Sequence, residues 1–200
     1  MARRNSYLEL VNGPPNPLQE ALGLNKAAGE MVNAYHQVVM RGESSISPAL
    51  REAIAAFVST LNMCPLCSEA HTRVAELLGV DPDVILALRK DVEGAPVREK
   101  ERPLFAYAKK MTLAPSTLSK TDAERVFKAG WNDRDLHDVI NVICIFNFIN
   151  RFVLGHGIEV SEADVEYSAQ MLASKGYWDG EKVPALGDIF FTEVRPILAQ

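Results

Sequence analysis

The sequence has no excess of positive charge and no long basic run. Its 21 lysines and arginines are outnumbered by 26 aspartates and glutamates, so the formal net charge is −5. Proteins whose main partner is a nucleic acid usually carry a basic surface patch. The charge balance therefore argues against nucleic acid as the main partner.

The sequence also lacks an uninterrupted apolar run of the roughly 20 residues that a membrane-spanning helix needs. Arg3 and Arg4 are followed by mixed polar residues rather than by the apolar core of a signal peptide. We therefore expect no membrane partner and a cytoplasmic protein, since a cysteine pair can cycle between thiol and disulfide in that compartment.

Strand-like alternation is scarce, whereas residues that begin and end helices recur along the chain. With 48% hydrophobic residues, the 200 residues can bury one core. The pattern predicts an all-α fold. We expect an extended N-terminal arm over residues 1–17 and a single helical domain over residues 18–175, whose core, 47–155, carries the site. Residues 176–200 are expected to form a C-terminal tail on the domain or on a neighbouring subunit.

Several helix ends are marked locally. One helix is expected from about Leu18 to Met40, and a capping box of Thr121 and Glu124 is expected to begin another. The helix from about Asp133 to Leu154 is so apolar that burial is expected, either centrally or at a subunit contact.

The most informative motif is Cys64-Pro65-Leu66-Cys67. Residues three apart on a helix have Cα atoms roughly 5 Å apart, within the range of a disulfide. Pro65 fits only the first turn of a helix, so Cys64 is expected at its N-cap. There the free N–H groups and the helix dipole favour a thiolate, and at least one cysteine should be more acidic than a free thiol.

Two further residues lie at workable distances from this motif. His71 follows Cys67 by four residues, on the same helical face, where an imidazole can take or return the thiol proton. If the preceding helix, starting at Ser47-Pro48, folds back near Asn62, Glu52 lies nearly level with His71 and can orient the imidazole. Cys67 is thus the candidate nucleophile, and Cys64 the candidate resolving thiol.

Two other interpretations of the cysteine pair stay open. A zinc site needs four ligands, and the third cysteine, Cys144, lies far along the chain in an apolar stretch, where a small core hydrophobe is expected. The pair can also be inert and buried, although the positions of Pro65, His71 and Glu52 favour redox chemistry. The remaining histidines are expected at the surface or as satisfied polar residues: His36, His137 and His156.

Polar residues interrupt the apolar helix near its end. Asn147, Asn150 and Arg151 share one helical face. Buried polar groups must find partners, so these side chains are expected to anchor the hairpin or a subunit interface. A plain polar edge at the end of the helix is the alternative.

Glu52, eleven intervening residues, Cys64-x-x-Cys67 and His71 resemble the signature of the alkylhydroperoxidase D-like group within the carboxymuconolactone decarboxylase superfamily. The stretch from about Ser47 to Arg151 is similar to the peroxidase-related branch. The resemblance implies an all-helical fold, homo-oligomers that are often trimers or hexamers, and thiol peroxidase activity without flavin, haem or metal.

The resemblance also implies roles. Cys67 would be the peroxidatic cysteine and Cys64 the resolving one, with Glu52 and His71 in a proton relay. The best-known members have a second histidine directly before the second cysteine, where this chain has Leu66. The expected activity is hydroperoxide reduction, with regeneration by a thioredoxin-like or dihydrolipoyl-type dithiol. Two alternatives stay open: a cysteine-independent decarboxylase or lyase, and a non-enzymatic redox sensor or binding protein.

Overall fold

The computed structural model describes residues 6–11 and 16–177. Within these residues every regular element is helical, which confirms the predicted all-α fold. Short 3-10 turns at Glu99–Glu101 and Pro115–Thr117 separate some of the α-helices. In the described part of the chain the α-helices are α1 (Pro17–Gly23), α2 (Lys26–Arg41), α3 (Pro48–Leu61), α4 (Pro65–Leu77), α5 (Pro82–Lys90), α6 (Arg102–Leu113), α7 (Lys120–Lys128), α8 (Asp133–His156) and α9 (Glu162–Lys175).

Helices α3 and α4 form the predicted hairpin. The Ser47 hydroxyl caps α3 by accepting from the Leu50 N–H, and Pro48 occupies the first turn. The chain then turns at Met63, whose φ of 53° lies in the left-handed region, and Pro65 opens α4. Both ends of the turn are therefore fixed by local sequence, which explains why the hairpin could be predicted.

Helix α3 is the central element, and it packs against α4, α6 and α8. All of its residues from Leu50 to Ser59 are buried, including the charged Arg51. The guanidinium of Arg51 donates to the backbone carbonyls of Val39, Gly42 and Ile46. This cation therefore satisfies carbonyls at the end of α2 and in the following loop, and holds α2 against α3.

Helix α8 buries only one side in the core of the chain, so central burial is borne out for that side, and burial of the rest at a subunit contact stays a prediction. Its outer side exposes Cys144 and 45% of the Phe148 surface. A helix packed on one layer needs only one apolar stripe, and the additional apolar residues remain at the surface. The buried stripe consists of Val139, Val142, Ile143, Phe146, Ile149 and Val153.

By length and composition alone, α8 is also apolar enough to cross a membrane. The expectation that no apolar run approaches the length of a membrane span missed this helix, because Asn147 and Asn150 interrupt its apolar residues. The mean hydropathy of the helix is nevertheless high enough for such a span. In the fold α8 packs against α3 and α6, as the core helix of a helical domain does.

Two predicted helix boundaries are wrong. The single helix expected from Leu18 to Met40 is two helices, because the Asn25 side chain accepts from the Ala28 N–H and starts α2 anew. The capping box of α7 is formed by Ser119 and Asp122, two residues before the predicted pair Thr121 and Glu124. In both cases the actual cap is a polar side chain that the sequence pattern did not single out.

The described part of the N-terminal arm packs against the end of α8. The Tyr7 N–H and the Ser6 hydroxyl both donate to the His156 carbonyl, at 2.8 Å each. Val11 is fully buried. Residues 1–5 and 12–15 of the arm lie outside the described residues, as does the predicted tail beyond Tyr177.

Candidate active site

The hairpin brings Glu52 of α3 and His71 of α4 into direct contact. The distance between Glu52 Oε2 and His71 Nδ1 is 2.8 Å, and both side chains are buried. The predicted level pairing of the two residues is therefore confirmed, while their catalytic roles stay predictions. If Nδ1 carries the proton that is donated to Glu52, the other ring nitrogen, Nε2, is left as the basic atom of His71.

Glu52 has two further partners that the sequence did not indicate. An Arg41 guanidinium nitrogen lies 2.6 Å from Glu52 Oε1, and the Tyr177 hydroxyl donates to the same oxygen at 2.7 Å. Burial would raise the pKa of Glu52, but hydrogen bonding and charge from His71, the Arg41 charge and the Tyr177 hydroxyl together lower it. Glu52 is thus held as a buried anion that accepts from three side chains.

Tyr177 follows α9 and reaches back over the site. Its backbone N–H donates to Gln37 Oε1 at 2.6 Å, and the Arg41 guanidinium lies over its ring. Burial, followed by the negative charge of Glu52, raises the pKa of Tyr177 well above its usual value, so the phenol stays protonated. Gly176 has a φ of 82°, and a Cβ there would lie 2.5 Å from Gln37 Oε1. The close approach that positions Tyr177 therefore requires glycine at 176.

Cys64 and Cys67 are both free thiols, and both are buried. A hydrogen bond between them lowers the pKa of Cys64 and raises that of Cys67 well above its usual value; burial opposes the first shift and adds to the second. The prediction that at least one thiol is more acidic is confirmed, and that thiol is Cys64. Cys67 retains its proton in the resting pair, so it needs a base before it can attack.

Asparagines of α8 hold the turn of the hairpin. The Asn62 amide donates to Asn150 Oδ1 at 2.9 Å and to Asn147 Oδ1 at 3.2 Å. The Asn150 amide in turn donates to Ser59 Oγ. Arg151 supports Asn147 by donating to its side chain and carbonyl. Of the two expected roles for these residues, the structure therefore bears out the anchoring of the hairpin.

The two cysteines open onto different cavities. Cys67 lines a cavity of about 590 Å³ together with His71, Tyr177 and His36. Cys64 lines a second cavity of about 350 Å³, whose wall includes Tyr7. The larger cavity is walled mainly by apolar side chains from four parts of the chain: Leu22, Leu66, Ile149, Val165, Met171 and Leu172.

His36 does not match the expectation of a surface or satisfied histidine. It is 6% exposed, and its Nε2 atom has no hydrogen-bond partner among the described residues. Of the other two histidines, His137 is exposed and the His156 ring lies 2.8 Å from the Phe152 carbonyl, as expected. No sequence pattern marked His36, since its neighbours in space come from α8 and from the segment after α9.

The prediction that Cys144 lies in the core is also wrong. It lies exposed on the outer side of α8 rather than in the core, and it lines neither of the two cavities described above. Within residues 6–11 and 16–177, no group of three or more histidine, cysteine, aspartate or glutamate side chains is arranged to hold a metal ion.

Comparisons with known proteins agree with this site. The profile of the carboxymuconolactone decarboxylase family matches residues 26–110, a segment that contains Glu52, Cys64, Cys67 and His71. An uncharacterized peroxidase-related protein from Silicibacter sp. TM1040 has a similar structure, with a TM-score of 0.73 and 26% sequence identity over 82% of this chain and 95% of that one. Residues 26–110 are therefore similar to the carboxymuconolactone decarboxylase family, and the fold of the chain is similar to that of a peroxidase-related protein.

A second solved structure has a similar fold. It is the alkylhydroperoxidase AhpD core of an uncharacterized peroxidase-related protein from Ralstonia eutropha JMP134, with a TM-score of 0.67. The two sequences are 20% identical, and the match covers 82% of this chain and 96% of that one. No curated protein matches the sequence significantly. The resemblance to the alkylhydroperoxidase D-like group is thus confirmed at the level of superfamily and fold.

Proposed function

We propose that this protein is a thiol-dependent peroxidase that reduces hydroperoxides through Cys67 and Cys64. One observation carries the proposal: Cys67 and His71 line the same cavity, and Glu52 holds the His71 ring from behind. A thiol that must lose its proton thus shares a cavity with an imidazole that a buried carboxylate orients. This is the arrangement of an activated nucleophile.

In the proposed first step, His71 Nε2 takes the Cys67 proton, and the thiolate attacks the terminal oxygen of the hydroperoxide. The sulfur–oxygen bond forms as the oxygen–oxygen bond breaks, and the alkoxide leaves as an alcohol with the proton from His71. Cys67 is oxidised to a sulfenic acid. The buried, triply bonded Glu52 anion stabilises the imidazolium that exists between the two proton transfers.

In the second step the Cys64 thiolate attacks the Cys67 sulfur. A disulfide forms, and hydroxide leaves and takes a proton to become water. An external dithiol, thioredoxin-like or dihydrolipoyl-type, then reduces the disulfide by exchange and is itself oxidised to a disulfide. Cys144 lines neither cavity and so is not placed to act as an internal reductant. The lowered pKa of Cys64 suits its role, because a thiolate is needed for resolution.

The proposal is tested by the intact mass of reduced protein before and after one equivalent of cumene hydroperoxide. We expect a loss of about 2 Da within seconds, and peptide mapping should locate the new bond between Cys64 and Cys67. Cys144→Ser is the matched control, and it should react at the same rate. If the mass stays unchanged while Cys67 remains a thiol, the peroxidase proposal fails and a cysteine-independent lyase becomes the better hypothesis.

We also propose that the protein forms homo-oligomers, trimers or hexamers. Met31, Tyr35 and Val38 form an exposed stripe on α2, and each is at least 40% exposed. Cys144 and Phe148 of the adjacent α8 are exposed as well. Apolar surface of this kind often marks an interface between subunits. Light scattering should find an oligomer for the native protein and a smaller species for Val38→Glu; a native monomer would contradict the proposal.

The proposed location is the cytoplasm. Each catalytic cycle requires reduction of the disulfide, and a reducing compartment supplies dithiols for that step. Cell fractionation with an antibody against the protein tests this, and recovery from an oxidising compartment would contradict it.

A further inference from the structure

His36 projects from the middle of α2 to the large cavity beside Cys67. Its ring packs on the Tyr177 ring with 4.0 Å between centroids, and it meets the edge of Phe146 at 5.3 Å. Phe146 also contacts the His71 ring, at 4.5 Å. The two imidazoles therefore flank one phenylalanine and line the same cavity as Cys67.

The Nε2 atom of His36 is buried and has no hydrogen-bond partner among the described residues. Buried polar atoms in proteins are nearly always paired, so an unpaired one that lines a cavity calls for a partner beyond the described residues. The ring is also uncharged. Burial, then the nearby His71 charge, lowers the pKa of His36 to about 3; Glu52 opposes this shift, and Arg41 adds to it. A neutral imidazole has one N–H donor and one acceptor nitrogen, so it can pair with a neutral hydroxyl group in either tautomer.

The surroundings specify the rest of this partner. The cavity has a volume of about 590 Å³, within the range of roughly 300 to 1,000 Å³ that small-molecule sites occupy. Apolar side chains such as Ile149, Val165 and Met171 form most of its wall. A partner with an apolar body and one neutral polar head group would satisfy both the wall and the unpaired nitrogen.

We propose that His36 Nε2 binds the hydroxyl-type head group of an apolar ligand, either an organic hydroperoxide or the alcohol formed from it. Both groups donate through O–H and accept through oxygen, so each complements either neutral tautomer of the ring. For the hydroperoxide this assignment rests on the proposed peroxidase function. Binding of the alcohol requires no reaction and can be measured by itself.

The test is the affinity of the reduced protein for cumyl alcohol, which cannot oxidise a thiol. Calorimetric titration should show binding to the native protein and about tenfold weaker binding to His36→Phe, as expected for one lost hydrogen bond. His36→Gln keeps an amide near the Nε2 position and should recover most of the affinity. His137→Phe, an exposed control, should bind like the native protein.

Stability separates this role from a structural one. Phenylalanine keeps the aromatic packing on Tyr177 and Phe146 and removes a buried, unpaired nitrogen. The midpoint of urea denaturation should therefore rise in His36→Phe while affinity falls. A purely structural His36 would lose stability and affinity together. A second measurement uses the native protein: the ¹⁵N resonance of His36 Nε2, assigned with His36→Gln, should move as cumyl alcohol is added.

Two results would overturn the inference: no binding of cumyl alcohol to the native protein, or equal affinity in His36→Phe. The peroxidase proposal is decided separately, by reaction with cumene hydroperoxide. If the protein binds the alcohol through His36 but Cys67 is not oxidised, the inference about His36 stands and the peroxidase proposal fails. If the native protein is oxidised rapidly but His36→Phe binds and reacts in the same way, the peroxidase proposal stands and the inference about His36 fails.

Discussion

Cys67 and Cys64 lie one helical turn apart, yet their surroundings differ in almost every respect. Cys67 faces the larger, apolar cavity with two imidazoles and a phenol. Cys64 faces the smaller cavity, whose wall includes the exposed carboxylates Glu69 and Glu159. A single turn of helix thus separates a cavity that contains two imidazoles from one that contains two carboxylates. The difference teaches that neighbouring thiols can be exposed to different chemistry in one small site.

The strongest test of the difference between Cys67 and Cys64 is to remove each sulfur in turn. Cys67→Ser should abolish peroxide consumption, because no nucleophile then faces the larger cavity. Cys64→Ser should react once and stop, with a sulfenic acid that adds about 16 Da at Cys67. Mass spectrometry after one equivalent of cumene hydroperoxide measures both. If the two variants exchange these results, the more acidic Cys64 is the nucleophile, and the assigned roles are reversed.

Removing the charge of Glu52 should have the next largest effect. In Glu52→Gln, an amide N–H replaces one acceptor oxygen that now receives hydrogen bonds from Arg41, Tyr177 or His71. We expect the rate of Cys67 oxidation to fall about a hundredfold, as for loss of an oriented acid–base group. Glu69→Gln, on the side of Cys64, is the control. A stopped-flow rate within twofold of the native one would show that the relay does not need this charge.

The same carboxylate should make stability depend on pH. The folded protein lowers the pKa of Glu52 below its ordinary value of 4.5. Its contribution is therefore complete above pH 4.5 and is lost as the pH falls through the folded-state pKa. In urea denaturation, the difference in unfolding free energy between the native protein and Glu52→Gln should shrink as the pH falls below 4.5. A difference that stays constant from pH 7 to below 4 would contradict this.

Tyr177→Phe should have a smaller effect. It removes one donor to Glu52 but leaves Arg41 and His71 in place and keeps the ring on His36. The rate of Cys67 oxidation should fall about threefold to tenfold, less than the full cost of a hydrogen bond to a charged group, because the two other partners of Glu52 remain. Tyr167→Phe, an exposed tyrosine at the same cavity, is the matched control. A loss beyond a hundredfold would mean that the phenol itself transfers a proton.

The smallest effect is expected on the side of Cys64. Tyr7 lines the smaller cavity, and its ring lies directly over Gly157. Tyr7→Ala should open access to Cys64 and speed reduction of the disulfide by dithiothreitol about twofold, without changing the rate of Cys67 oxidation. Stopped-flow tryptophan fluorescence can follow both steps. An altered rate of oxidation would show that the two sides are not independent.

The predictable part of the site is the part encoded locally. The cap at Ser47, the proline at Pro65 and the four-residue step from Cys67 to His71 each fix geometry within a few residues. The hairpin and the contact between Glu52 and His71 follow from them. The pair of Glu52 and His71 could thus be located before any tertiary structure was known.

The remaining residues were missed for one physical reason. Arg41, His36 and Tyr177 enter the site through the packing of α2 and of the segment after α9, and no spacing along the chain encodes that packing. Cys144 was expected in the core and is exposed, because apolar neighbours in sequence do not reveal which side of a helix faces the core.

The position of Tyr177 has a consequence for how the protein is made. It follows Glu52 by 125 residues. The hairpin with its two thiols ends at Leu77, 100 residues before Tyr177. Ribosomes add about 5 to 20 residues per second, so the hairpin is made roughly 5 to 20 seconds before the phenol that joins its hydrogen-bond network. A newly made chain therefore has both thiols for a time without the phenol that donates to Glu52. The hydrogen bond from Tyr177 to Glu52 can therefore form only after synthesis has passed residue 177.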